Sequence, residues 1–97
     1  MKRDQVIAIL RAHEPELKRA GIVRLSLFGS TARGEDAPQD VDLLAAFDEH
    51  RQLSMLDVIH IENELTDLLG YSVDLIEEGT LKPRVKKSVE AEAIRAF

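Results

Sequence analysis

The chain of 97 residues has no cysteine, no tryptophan and few aromatic residues, three Phe and one Tyr. Without cysteine, disulfides and thiolate metal sites are excluded. Four rings leave little for stacking the bases of a single-stranded nucleic acid. No apolar run approaches the roughly 20 residues of a membrane-spanning helix, and the charged start of the chain does not resemble a signal peptide. We therefore expect a cytoplasmic protein with no membrane association.

Basic residues are also in short supply, with 13 Lys and Arg against 18 Asp and Glu and a formal net charge of −5. Proteins that hold nucleic acid through its phosphates normally carry a basic surplus, so direct nucleic-acid binding is disfavoured. The length suits one compact unit, because domains cluster at about 100–150 residues. We predict a single domain over residues 1–97.

Hydrophobic spacing predicts the order helix, strand, strand, helix, strand, helix. Asp4 is expected to cap the first helix, which Pro15 either kinks or restarts. Ser54 and Asp57 have the spacing of a capping box before the next helix. The buried face of that helix is predicted to consist of Met55, Val58, Ile59, Leu65, Leu68 and Leu69, and core packing is also the preferred interpretation for Leu53 and Leu56.

Strands are predicted at residues 22–28, 40–47 and 71–77. In the first, Val23, Leu25 and Leu27 are expected to share one face. After the third strand, the tail is predicted to end in a short helix through Phe97. The fold class is therefore α/β (α+β), a small mixed sheet flanked by helices.

Residues with chemical potential concentrate between the first two strands. Gly29 permits a tight turn and a close backbone approach to a ligand. Ser30 is expected to cap a short helix that begins at Thr31, whose free amides would face a phosphate. Asp40 and Asp42 are two residues apart on a strand, so both carboxylates project from one face.

Two such carboxylates repel each other unless cations lie between them, and hard oxygen ligands select Mg²⁺ or Mn²⁺. If the third strand lies beside the second, Asp74 joins Asp40 and Asp42 in one cluster. Considered alone, each feature has an ordinary structural interpretation. The Gly29-Ser30 turn is then a common turn, Asp40 and Asp42 lie on a solvated face, and Asp74 is a hydrogen-bonded polar residue. Their order on consecutive strands favours a site for nucleotidyl transfer assisted by two metal ions.

The run Phe28-Gly29-Ser30, nine further residues and Asp40-Val41-Asp42-Leu43 resembles the signature of the polymerase-beta-like nucleotidyltransferases. The run from Gly29 to Gly34, Gly-Ser-Thr-Ala-Arg-Gly, most resembles the minimal nucleotidyltransferases (MNT), partners of HEPN-domain proteins in toxin–antitoxin pairs. Gln39 is a departure, since many relatives carry Ser before the first Asp. The resemblance implies a polymerase-beta-like nucleotidyltransferase fold.

The resemblance also implies roles for individual residues. Gly29 and Ser30 would hold the β- and γ-phosphates of a nucleoside triphosphate. Asp40, Asp42 and Asp74 would bind two Mg²⁺ ions, with Mn²⁺ as an alternative, and Asp74 would assist deprotonation of the acceptor hydroxyl. Arg33 would either meet a phosphate or cover its own helix.

The resemblance implies transfer of AMP from ATP to the hydroxyl of a tyrosine in a HEPN toxin. This chain and the toxin would form a hetero-oligomer. The chain would be the antitoxin of a type VII-like toxin–antitoxin pair. Two alternatives stay open: a non-catalytic antitoxin that masks the toxin by binding, and a small-molecule nucleotidyltransferase. The basic residues Lys82, Arg84, Lys86 and Lys87 are either a solvated face or a contact with the triphosphate or with an acidic partner surface.

Overall fold

A computed structural model of the chain describes residues 2–34 and 40–97, apart from the side chain of Ser30. Gln39, the departure from the family pattern, lies outside the described residues. The helices are α1 (Arg3–Ala12), α2 (Glu14–Ala20), α3 (Gly29–Ala32), α4 (Met55–Leu69) and α5 (Pro83–Glu92), and a 3₁₀ turn covers Glu78–Thr80. The strands are β1 (Ile22–Phe28), β2 (Asp40–Phe47), β3 (Ser72–Glu77) and β4 (Ile94–Arg95).

The four strands form one mixed sheet in the order β3-β2-β1-β4. Strand β1 is antiparallel to both β2 and β4, whereas β2 and β3 are parallel. A parallel pair needs a crossover connection, and α4 supplies it between β2 and β3. The predicted mixed sheet flanked by helices is confirmed.

The hydrophobic core lies on one face of this sheet, under α1, α2 and α4. Alternate residues of the strands, among them Leu25, Leu27 and Leu43, are fully buried there. The helices contribute Val6, Leu10, Leu17, Ile61, Leu65 and Leu69. Because side chains alternate along a strand, the residues between the buried ones, including Asp42, project from the other face.

The ends of the helices follow local signals in most places. The capping box is confirmed, since the Asp57 amide donates to Ser54 Oγ at 3.2 Å and the Ser54 amide donates to Asp57 Oδ2 at 2.8 Å. Pro15 lies in the first turn of α2, which restarts the helix as expected. The prediction that Asp4 caps the first helix is wrong. The cap is Lys2, whose amide donates to the side chain of Gln5.

The predicted buried face of α4 is wrong at its start. Met55 and Leu56 are 79% and 76% exposed, and Ile59 is 46% exposed. At about 100° per residue, Ile59 points roughly 160° away from the buried Ile61. The core therefore receives the stripe Ile61, Leu65 and Leu69, with Val58 packed against it.

The tail and the first strand also differ from expectation. The predicted final helix forms as α5 but stops at Glu92. Its expected extension through Phe97 is wrong, because β4 follows and Ile94 pairs with Leu27 of β1. The Ala96 amide continues this edge by donating to the Leu25 carbonyl at 2.8 Å. Val23 does not share a face with Leu25 and is exposed, because the β1–β2 register shifts next to it. Within the described ranges, none of the helices is both long and apolar enough to cross a membrane.

Candidate active site

Three carboxylates project from the face of the sheet opposite the core, and we call them the acid cluster: Asp40, Asp42 and Asp74. Asp42 of β2 and Asp74 of β3 are directly paired across the parallel strands. Asp40 precedes Asp42 by two residues and shares its face. The structure thus places Asp74 of β3 beside the Asp40 and Asp42 pair of β2, as expected if the third strand lies beside the second.

The glycine turn at the end of β1 touches this cluster. Phe28 pairs with Asp42, and Gly29 follows with a φ of +71°. A Cβ atom on Gly29 would clash with Asp42 Oδ2. The glycine is therefore required twice, for its left-handed backbone and for the room that it leaves to the carboxylate.

The predicted cap at Ser30 is wrong, because α3 begins one residue before it. The Arg33 amide already donates to the Gly29 carbonyl at 3.1 Å, and Phe28 is the residue that caps the turn. Arg33 follows this turn and pairs with Glu92 at the end of α5, with 3.7 Å between Nη1 and Oε2. The turn is thus linked both to the acid cluster and to α5.

Electrostatics mark Asp42 as the strained member of the acid cluster. Burial raises the pKa of the Asp42 carboxyl above its ordinary value, and the charges of Asp74 and Asp40 raise it further. The guanidinium of Arg33 opposes this shift. Asp40 and Asp74 are exposed, so the unfavourable electrostatic free energy is concentrated on the half-buried Asp42.

The chemistry of the acid cluster fits a divalent metal. Within residues 2–34 and 40–97, no three His, Cys, Asp or Glu side chains already converge on one metal position. Neighbouring strands lie about 4.8 Å apart, so rotation of the Asp42 and Asp74 side chains would bring their oxygens within reach of a shared ion. Carboxylates are the ligands that Mg²⁺ and Mn²⁺ prefer, and a cation would relieve the repulsion that raises the pKa of Asp42.

Sequence reasoning missed two residues at the turn. The hydroxyl of Thr31 is buried and has no hydrogen-bond partner among residues 2–34 and 40–97. Arg3 Nη1 donates to the Ala32 carbonyl at 3.0 Å and so ties α1 to α3. The first had a weak signal, a polar residue inside the motif. The second had none, because the two residues are 29 positions apart.

The basic tail splits into different environments. Lys86 lies 3.7 Å from Glu78, a nearly buried carboxylate that also accepts from Arg24 at 2.6 Å. Lys82, Arg84 and Lys87 are exposed. The hydrogen bond from Arg24 holds the pKa of Glu78 below its usual value, against the effect of burial. One lysine of the tail thus helps to hold α5 on the sheet.

Comparison with known proteins identifies close relatives over nearly the whole chain. Residues 10–96 match the family model described as nucleotidyltransferase domain. A Methanocaldococcus jannaschii protein with the provisional name of protein adenylyltransferase is 41% identical over 93 residues, which is 93% of either chain. The Thermococcus cleftensis protein adenylyltransferase MntA is 39% identical over 93 residues, covering 94% of this chain and 92% of that one.

Solved structures also match this chain over nearly its whole length. A structure provisionally described as a minimal nucleotidyltransferase superposes with a TM-score of 0.81 at 40% identity, over 97% of this chain and 95% of the other. A chain in the complex of the tri-AMPylated Shewanella oneidensis HEPN toxin with its MNT antitoxin gives a TM-score of 0.61 at 18% identity, over 98% of this chain and 68% of that one. The second likeness shows a shared fold.

Proposed function

This chain belongs to the nucleotidyltransferase domain family, in its minimal branch, and from that premise we propose that it transfers AMP from ATP to a hydroxyl of a partner protein. The observation that carries the proposal is the register of β2 and β3, which pairs Asp42 with Asp74 beside the Gly29 turn. A glycine turn next to clustered carboxylates suits a triphosphate together with divalent metal ions.

In this proposal the acid cluster would hold two Mg²⁺ ions, with Mn²⁺ as an alternative. The bound metal supplies Lewis-acid activation of the α-phosphate and neutralises the charge of the pyrophosphate. Asp40, Asp42 and Asp74 would hold the ions through their carboxylate oxygens. Asp74 lies on the far side of Asp42 from the turn, where it accepts the proton of the attacking hydroxyl.

The turn receives the leaving group. Gly29 brings backbone close to Asp42, so the phosphates held by Gly29 and Ser30 lie next to the metal ligands. Arg33 follows the turn, and its positive charge lowers the pKa of Asp42, against the larger effect of burial. A guanidinium this close to the acid cluster is suited to contact the triphosphate. The Arg33 guanidinium also lies 3.7 Å from the carboxylate of Glu92 at the end of α5.

For the acceptor, we propose a tyrosine of a HEPN toxin, which makes the chain the antitoxin of a type VII-like pair. Relatives about 40% identical bear the name protein adenylyltransferase, and the fold recurs in a complex of an MNT antitoxin with an AMPylated HEPN toxin. The partner would form a hetero-oligomer with this chain.

One observation favours a second candidate function, an antitoxin that masks the toxin by binding alone. Met55, Leu56 and Ile59 expose apolar side chains on the first turns of α4. They lie at the opposite end of the sheet from the acid cluster, since β2 runs from Asp40 to Phe47 before the chain enters α4. Binding through this surface would not require catalysis.

A double substitution separates the two functions. Asp40→Asn with Asp42→Asn should abolish transfer of labelled AMP from ATP to a co-purified HEPN partner, because the metal ligands are lost. The control, Asp4→Asn with Asp67→Asn, removes the same charge from exposed positions and should transfer normally. Normal labelling by the site variant would refute the catalytic assignment. Full protection of cells by an inactive site variant would support masking.

A further inference from the structure

A cavity of about 320 Å³ opens on the acid-bearing side of the sheet, between the strands and the end of α5. Ser26 of β1 and Leu44 of β2 lie at its base. Glu90 and Ala93 line it from the α5 side, and Arg95 of β4 lines it from the edge of the sheet. Its volume falls at the lower end of the range for small-molecule sites, about 300–1,000 Å³.

The cavity is adjacent to the acid cluster. Leu44 is two residues beyond Asp42 on the same face of β2, a separation of about 6.6 Å along the strand. Leu44 pairs with Ser26, and Ser26 pairs with Arg95 on its other side. One row of side chains therefore leads from Leu44 to Arg95, next to the row that carries Asp42 and Asp74.

The order of the Gly29 turn, Asp42 and Asp74 across the sheet indicates where each part of the nucleotide lies. The Gly29 turn, Asp42 and Asp74 follow one another across the strands. In an in-line displacement, the leaving and attacking oxygens lie on opposite sides of the phosphorus. With pyrophosphate at the turn and the acceptor at Asp74, the nucleoside must run in another direction, and the direction along β2 leads into the cavity.

Building on the proposed function, we propose that this cavity binds the nucleoside of the triphosphate and that Arg95 is its principal contact. The other guanidinium in the cavity, that of Arg24, is already paired with Glu78 at 2.6 Å. Within the described ranges, Arg95 has no ion pair. Its planar guanidinium can stack on a base or donate to ring nitrogens and ribose oxygens.

The remaining lining suits the same ligand. The carboxylate of Glu90 can accept from an amino group of a base or from a ribose hydroxyl. Ala93 follows the last residue of α5 and lines the cavity with a small side chain. Leu44, nearly buried, offers an apolar surface to the flat face of a base.

The test compares ATP with inorganic tripolyphosphate, both with Mg²⁺, by isothermal titration calorimetry on the full chain. Arg95→Ala should weaken ATP binding about tenfold and leave tripolyphosphate binding within twofold. Ala93→Leu, which fills the cavity without removing a charge, should have the same selective effect. Lys87→Ala, an exposed α5 substitution, should change neither affinity.

Three results would overturn the assignment. ATP affinity in both cavity variants equal to that of Lys87→Ala would show that no nucleoside lies there. An equal loss for ATP and tripolyphosphate in folded Arg95→Ala would make Arg95 a phosphate contact. Wild-type protein that binds neither ligand would remove the proposed function itself, and the nucleoside site with it.

Discussion

Asp42 and Asp74 stand directly opposite each other on parallel strands, with Asp40 two residues away on the same face. They are separated by 31 residues that include the whole of α4. Opposed like charges destabilise a sheet, and here burial of Asp42 adds to the repulsion. The metal-free fold therefore keeps this arrangement at a cost in stability.

Asp42→Asn should consequently stabilise the metal-free protein. The folded-state pKa of Asp42 is raised, so the ionised carboxylate opposes folding above its unfolded pKa of about 3.9. We expect a melting temperature about 2–4 °C higher in EDTA at pH 7, the shift that about 0.5 kcal/mol produces in a domain of this size. The same variant should lose the stabilisation by ATP with Mg²⁺. Asp67→Asn, on the exposed side of α4, should show neither effect.

Gly29→Ala tests the contact between the turn and Asp42. The new methyl group would clash with Asp42 Oδ2, so the carboxylate must move, and the left-handed backbone of the alanine adds strain. Gly70→Ala is the matched control, because Gly70 has a φ of +75° and nothing within 4 Å of its Cβ position. The free energy of unfolding should fall by about 1–2 kcal/mol in both variants, because an alanine is strained in the left-handed backbone conformation. Only Gly29→Ala should also lose metal-dependent ATP binding, and equal ATP binding by the two would contradict the contact.

Glu78→Gln tests how α5 is held on the sheet. The pKa of Glu78 is lowered, chiefly by the hydrogen bond from Arg24, so its contribution is present above the unfolded pKa of about 4.3 and is lost as the pH falls below it. Urea unfolding at pH 7 should show a loss of about 1 kcal/mol, since Arg24 is partly exposed. The difference from wild type should shrink towards pH 3. Glu16→Gln, an exposed change, should cost nothing at either pH.

The exposure of the start of α4 predicts two different outcomes on one helix. Ile61→Ala should destabilise the fold by about 3 kcal/mol, because Ile61 is buried in the core. Leu56→Ser should change stability by less than about 0.5 kcal/mol, as exposed substitutions do. Thermal unfolding of the two variants measures the contrast. A large loss for Leu56→Ser would mean that the side chain packs in the core.

Local signals were sufficient for much of the secondary structure. The capping box at Ser54 and Asp57 and the restart at Pro15 depend on groups within a few residues, so the sequence predicts them well. The final strand is different. Ile94 and Arg95 were expected to be helical, but Ile94 joins the core and β1 offers an edge to pair with. Pairing with a distant strand outweighs local helical preference.

The same division holds at the candidate site. The sequence alone was sufficient to predict three features of the site, since each is a local pattern. These are the glycine turn, the spacing of Asp40 and Asp42, and the isolation of Asp74 among apolar residues. Tertiary structure alone decided that Asp42 faces Asp74, that the Asp42 carboxylate lies against Gly29 and that Arg95 lines a cavity beside them. These relationships depend on strand order and register, which long-range packing of the core determines and no short stretch of sequence encodes.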